Sequence, residues 1–220
     1  MYTITIGDKA YSSWSMRGWL MLAAFGLPFE EEVVPMYSDA FTAMAKARAP
    51  ARSVPQLTWV EGGAKRRIWD TLAIAETLAE RHPDAGLWPE ASAKRRLARV
   101  LAAQMHAGFG TLRTAAPMNL HREDQPLTLP PQGLDEAVEQ LEELWDTALN
   151  EGGGPWLAGP RFTVADAMAA PYVFRFSGYR LGSGRHANYM DRLTSHPAVR
   201  RWVTDAQADP RRLPQYETIA

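Results

Sequence analysis

The chain has 220 residues, 46% of them hydrophobic and 22% charged, and its 24 basic side chains nearly cancel 25 acidic ones. That balance describes a folded globular protein with room for one large or two small domains, and it leaves no net field to draw in nucleic acid or an anionic bilayer. Cysteine is absent, which excludes disulfides, thiolate metal sites and any reaction using a thiol of the protein's own, and accords with a cytoplasmic location.

The longest apolar stretch, Trp19 to Phe29, contains Gly26 and Pro28 and is too short to cross a bilayer. No basic amino-terminal segment precedes a leader-like run, so secretion is not expected. The triplets Lys65-Arg66-Arg67 and Lys94-Arg95-Arg96 lack interleaved aromatics and read as solvated faces, not nucleic-acid patches. The five histidines are scattered, and no metal site is expected.

In chain order, Tyr2 to Ile6 alternates with period two and predicts a strand closed by Gly7-Asp8. A helix is expected from about Ser15 to Phe25, stopped by Gly26 and Pro28. Phe29 to Met36 reads as a second strand, and residues 38–49 as a short, weakly packed helix. Val54 to Val60, the turn Glu61-Gly62-Gly63 and Lys65 to Trp69 read as a hairpin. Asp70 is placed to cap a helix over Thr71 to Arg81, whose Leu72, Ala75, Leu78 and Ala79 form an apolar stripe. These elements predict an α/β unit with one mixed four-stranded sheet over residues 1–81.

Residues 82–92, containing "HPDAGLWPE", read as a linker, and residues 93–220 as an all-helical domain. One long helix is expected over Ala91 to Ala116, ended by Pro117, and another over Leu134 to Leu149, closed by a glycine run. Thr163-Val164-Ala165-Asp166 is a capping box. A last helix is expected over Pro197 to Ala208, with proline in its first turn. The segment Gly178 to Asn188 has a glycine-rich look, but it lacks a Gly-Lys-Ser/Thr ending and a preceding strand, so nucleotide binding is not expected.

Ser12, Ser13 and Ser15 crowd the start of the first helix, where capping needs only one of them. A helix amino terminus offers unpaired N–H groups and a partial positive charge, which stabilise anions, thiolates included. Val54-Pro55 opens a strand expected beside this helix start, and a cis peptide there would turn the Val54 backbone toward it. Asp70 and Thr71 give a second helix start with a carboxylate, a hydroxyl and free amides, a set that suits an amino-acid head group. Capping alone explains each feature singly. Together, in a chain without cysteine, they point to a zwitterionic ligand that brings a thiol.

The order strand, serine-rich loop, helix, strand, "VPQL" hairpin, Asp-Thr helix, linker "LWPE", helical remainder and "FTVADAMAAP" resembles a cytosolic glutathione transferase over nearly the whole chain. Within that family, Ser12-Ser13-Trp14-Ser15-Met16-Arg17 is similar to the signature of serine-type members close to the zeta, or maleylacetoacetate isomerase, class. With "MHAGFGTLRTAAPMNL" it resembles a bacterial subgroup of it. The resemblance implies a thioredoxin-like first domain, and glutathione as co-substrate with a small electrophile as acceptor. It also implies a homodimer, a role in detoxification and a site for the acceptor in the helical domain. It implies Ser12 as the hydroxyl that meets the glutathione sulfur, with Ser13 as rival because it lies four residues before Arg17.

By the same resemblance Val54 and Pro55 hold the cysteinyl part, and Asp70 and Thr71 the γ-glutamyl end, where the family usually has Glu or Gln followed by Ser. Trp14 replaces a cysteine of the zeta pattern, which argues against simply calling the chain maleylacetoacetate isomerase. Ser15 and Arg52 are further glutathione contacts to test. Trp14, His106, Phe109 and Arg113 are acceptor-site candidates, since His106 and Arg113 are two turns apart on the expected long helix. Arg17 is expected in an interdomain ion pair, and Asp166 is read as structural. Conjugation, isomerisation and peroxidase chemistry all fit these residues, and a non-enzymatic ligand carrier of the same fold is the alternative.

Overall fold

Alternation in Tyr2 to Ile6 places Ile4 and Ile6 on one face. In the computed structural model, which describes residues 1–219, strand β1 (Tyr2–Ile6) buries both completely. It is followed by helix α1 (Ser13–Ala23), strand β2 (Phe29–Val33), helix α2 (Asp39–Ala47), strands β3 (Gln56–Glu61) and β4 (Ala64–Trp69), and helix α3 (Thr71–Arg81). The sheet order is β2-β1-β3-β4, with β1 parallel to β2 and antiparallel to β3, and β3 antiparallel to β4. Gly62 and Gly63 both have positive φ, as a two-residue hairpin requires. The expected second strand stops at Val33 instead of Met36; Val34 still donates to the Ile6 carbonyl at 2.8 Å, and Pro35 has no N–H to continue.

After a 3-10 turn at Pro83–Ala85 the chain is helical: α4 (Ser92–Ala107), α5 (Gly110–Ala115), α6 (Leu134–Gly152), α7 (Val164–Tyr179), α8 (Ala187–Ser195), α9 (Pro197–Ala208) and the short α10 (Pro214–Glu217). The long helix expected over 91–116 is therefore two. Gly108 leaves the helix, and Phe109 adopts a left-handed φ of 58° that starts α5 on a new axis. A Cβ at Gly108 would lie 2.7 Å from the Gln104 carbonyl oxygen. Helix α6 runs three residues beyond expectation, and α8 was not foreseen. The glycine-rich loop ahead of α8 turns its Ser183 N–H and hydroxyl to the buried Glu142 carboxylate, each at 2.9 Å, so its donors already face a carboxylate of the chain.

Helix α7 is buried on nearly every side and mostly apolar, with Asp166 and Arg175 as its buried charges. It packs on both α1 and α4, so sheet domain and helical domain share one core containing the fully buried Trp19, Trp145 and Trp202. Arg17 crosses this junction. The expected ion pair is not what it makes: Nε donates to the Met168 carbonyl and Nη2 to the Met105 carbonyl, each at 3.1 Å, with the guanidinium 4.6 Å from the Trp14 ring. A salt-bridge partner would have required burying a carboxylate as well. Asp166 accepts from the Thr163 N–H at 2.9 Å and its hydroxyl at 3.2 Å, and from the Leu157 N–H and Tyr189 hydroxyl, so the capping box is also a tie between loop and helix. Among the described residues no helix is long and apolar enough to cross a membrane.

Candidate functional site

The turn between β1 and α1 is tied at several points. The Asp8 carbonyl accepts from the Tyr11 and Ser12 amides, the Asp8 carboxylate accepts from the Met36 N–H at 2.6 Å and from Arg211, and Gly7 donates to the Ser15 hydroxyl at 2.9 Å. The three serines then divide the work. Ser12 is the N-cap, accepting from the Ser15 N–H at 3.3 Å while donating its own proton to Ser15 Oγ at 2.7 Å. Ser15 is fully buried with its hydroxyl held by Gly7 and Ser12, so the expectation that it contacts a ligand is corrected: it buttresses the turn. Ser13, the first helical residue, lines a cavity and makes no side-chain hydrogen bond among the described residues. The Ser13 and Ser15 hydroxyl protons both lack an acceptor among the described residues, and of the two only Ser13 lines the cavity. Tyr11 lines the same cavity, but its hydroxyl donates to Glu217 at 2.5 Å, and burial with that carboxylate pushes it up to about 12.

Opposite α1, the Gln56 amide donates to the Ala51 and Ser53 carbonyls, each at 2.9 Å, and so fixes the approach to Val54. The Val54–Pro55 bond is cis. A cavity of about 250 Å³ lies here, lined by Trp14, Ser53, Val54, Pro55, Asp70, Thr71 and His106. Asp70 Oδ1 caps α3 through the Leu72 and Ala73 amides, at 2.8 and 3.4 Å, and its backbone has φ 74°, a conformation rare for a side-chain-bearing residue. Thr71 is buried and its Oγ1 has no partner among the described residues, an orphaned hydroxyl at the cavity wall. These residues suit an amino-acid head group: a carboxylate oxygen for an ammonium, and a hydroxyl beside a helix start for a carboxylate.

A second cavity, of about 350 Å³, shares Trp14, Ser53 and Val54 with the first and continues past Ser12 and Ser13 to Arg113, Arg175 and Tyr216. Among the described residues no carboxylate lines it. Arg175 is 3% exposed, and its Nε and Nη1 have no hydrogen-bond partner among the described residues. Burial, with Arg17 nearby, lowers its guanidinium to about 9, still charged at neutral pH.

His106 and Arg113 do not share a helix face, because the break at Gly108 separates them. Arg113 lines the larger cavity and donates to the His106 carbonyl at 3.0 Å, whereas the His106 ring lies in the smaller one, 2.7 Å from Asp70 Oδ2. Phe109 packs edge-on to Tyr172 at 5.6 Å and lines neither cavity. Arg52 is exposed and also lines neither. Sequence reasoning missed Arg175, Tyr11 and Tyr216; a lone charge inside the apolar run of α7 was the signal for Arg175. A further hollow of about 200 Å³ at the linker, between Gly86–Ala91 and Pro160–Thr163, contains none of these residues.

The fold has the two-part plan of a glutathione S-transferase, and the family profiles agree: the N-terminal domain of that family matches residues 11–81 and its C-terminal domain residues 131–205. The chain belongs to the glutathione S-transferase family. It is 27% identical over 201 residues to a probable maleylacetoacetate isomerase of Caenorhabditis elegans, covering 91% of this chain and 86% of that protein. Two solved structures show the same fold. One is a glutathione transferase homolog from Burkholderia gl BGR1 with bound glutathione, at TM-score 0.70, 21% identity, and 94% and 98% coverage of the two chains. The other is maleylacetoacetate isomerase from Anaeromyxobacter dehalogenans 2CP-1, with dicarboxyethyl glutathione and citrate in its active site, at TM-score 0.66, 22% identity, and 97% and 96% coverage.

Proposed function

We propose that this protein is a glutathione-dependent enzyme that conjugates or isomerises a small acidic electrophile. The observation that carries the reading is the larger cavity, whose wall includes both the Ser13 hydroxyl and Arg175, a cation with no hydrogen-bond partner for Nε and Nη1 among the described residues. Glutathione supplies the sulfur nucleophile that the cysteine-free chain lacks. Asp70 and Thr71 hold its γ-glutamyl end, and the backbone of Val54 its cysteinyl part.

The Ser13 hydroxyl, supported by the start of α1, donates to the sulfur and favours the thiolate over the thiol, whose ordinary pKa is about 8.5. Ser12 shapes this turn as the cap. Arg113 and Arg175 draw in an acceptor carboxylate and orient its reactive carbon toward the sulfur. An anion is the partner an unpaired buried guanidinium is built to take. The acidic ligands named for the A. dehalogenans enzyme support this choice. Homodimerisation, a cytoplasmic location and a role in detoxification belong to the same reading and rest on the family.

The test is turnover of glutathione with a panel of unsaturated or halogenated carboxylic acids beside their methyl esters. Faster reaction with the acids, lost in Arg175→Gln, is the expected result. Tight glutathione binding with no turnover of any acceptor would favour a ligand carrier instead.

A further inference from the structure

His106 stands in the helical domain at the end of α4, yet its ring reaches back to the head-group cavity of the sheet domain. Its Nε2 lies 2.7 Å from Asp70 Oδ2, and its ring meets Trp14 edge-on with centroids 5.1 Å apart. A carboxylate has no proton to give, so the imidazole N–H is the donor. Asp70 is the half-exposed member, with 45% of its side chain accessible against 25% for His106. Its Oδ1 is committed to capping α3, which leaves Oδ2 as the oxygen available to a ligand.

We infer that His106 is a positioning residue for glutathione: it fixes the Asp70 carboxylate so that Oδ2 presents its remaining lone pair to the γ-glutamyl ammonium. This rests on the glutathione reading above and adds the residue that makes that site selective. Each carboxylate oxygen can accept two hydrogen bonds, so the imidazole and the ammonium share Oδ2 without displacing one another. Aspartate has a shorter reach than glutamate, and a half-exposed carboxylate held at one oxygen only can swing away from a ligand at small cost. The imidazole removes that freedom before the ligand arrives, which lowers the ordering cost of binding. A donor supplied by α4 also means that head-group recognition requires both domains.

The inference assigns His106 a selective task, so it separates ligands that differ only in the ammonium. The probes are glutathione and its deamino analogue, in which hydrogen replaces the α-amino group, each titrated calorimetrically into the full-length protein. Wild type should prefer glutathione. His106→Ala should weaken glutathione binding by about tenfold, the scale of one lost charge-assisted hydrogen bond, and leave the analogue unchanged, with KM for glutathione rising and kcat nearly constant. His106→Gln, which restores an N–H at similar reach, should recover most of the preference. His106→Phe, which keeps a ring against Trp14 but has no donor, should behave as Ala does. Equal loss of both tripeptides in His106→Ala, or full preference in His106→Phe, would assign the side chain to packing and overturn the inference. Failure of wild type to bind either tripeptide would instead remove the glutathione reading itself, a result no His106 variant can imitate.

Discussion

Arg175 is a buried charge without a counter-charge among the described residues, in a helix otherwise mostly apolar, and such a group costs the folded state more than it returns. Replacing it with methionine should stabilise the protein by about 1–3 kcal/mol in urea unfolding, while kcat/KM for an acidic acceptor falls roughly 10- to 100-fold. Improved stability with unchanged kinetics would separate Arg175 from the acceptor. The serines divide in the opposite sense. Ser12→Ala removes a helix cap and should cost about 1 kcal/mol of stability, with a modest kinetic effect. Ser13→Ala removes a hydroxyl with no structural partner, so stability should hold while conjugation slows by an order of magnitude or more. The reverse pattern in thermal unfolding and initial rates would make Ser12 the sulfur contact.

Among the elements, α7 depends most on one side chain at its start. Asp166 takes four hydrogen bonds there, and Asp166→Ala leaves several buried donors unmet, which should cost about 3 kcal/mol or more. Burial, opposed by those donors, raises its carboxyl from 3.8 to about 6. The folded state therefore holds this proton more tightly than the unfolded chain does. Its contribution to stability is greatest below pH 4 and declines as pH rises through 6. Urea midpoints of wild type and Asp166→Asn between pH 4 and 7 check this, with their gap expected to narrow as pH rises.

The capping box was legible because its two bonds are local, and so was the hairpin, whose turn needs two glycines. The break between α4 and α5 was not. His106 and Arg113 keep helical spacing across it, and only the backbone at Gly108 and Phe109 reveals the turn. Arg17 misled for a related reason, since a buried cation on carbonyl oxygens leaves no acidic residue in the sequence to mark its partners.

At the scale of the whole molecule, the proposed site draws its two cavities from distant parts of the chain, with Tyr216 of the segment after α9 among the residues lining the larger. Ser13, Val54, Asp70 and Thr71 come from the sheet domain and were readable as helix starts and a strand start. Arg113, Arg175 and Tyr216 come from far along the chain, and no local pattern joins them to a serine. The segment after α9 is moored by Arg211 on Asp8 and the Met36 carbonyl, by Tyr11 on Glu217, and by Tyr216 near the Tyr37 hydroxyl at 3.3 Å. Tyr216→Ala should widen the acceptor cavity, lowering KM for bulkier acids while KM for glutathione stays within about twofold, as steady-state kinetics would show.

The interruption after α4 has a consequence for how such an enzyme can diversify. Met105, which receives Arg17 and the Tyr172 hydroxyl through its carbonyl, remains on the anchored side, whereas Arg113 rides on the separate six-residue piece beyond. Cohesion and taste are thus inherited by different stretches of chain. Substitutions at Arg113, the residue of α5 that lines the larger cavity, should alter acceptor preference while the Met105 seam holds, whereas its neighbours Leu112 and Ala116 are fully buried and have to be kept.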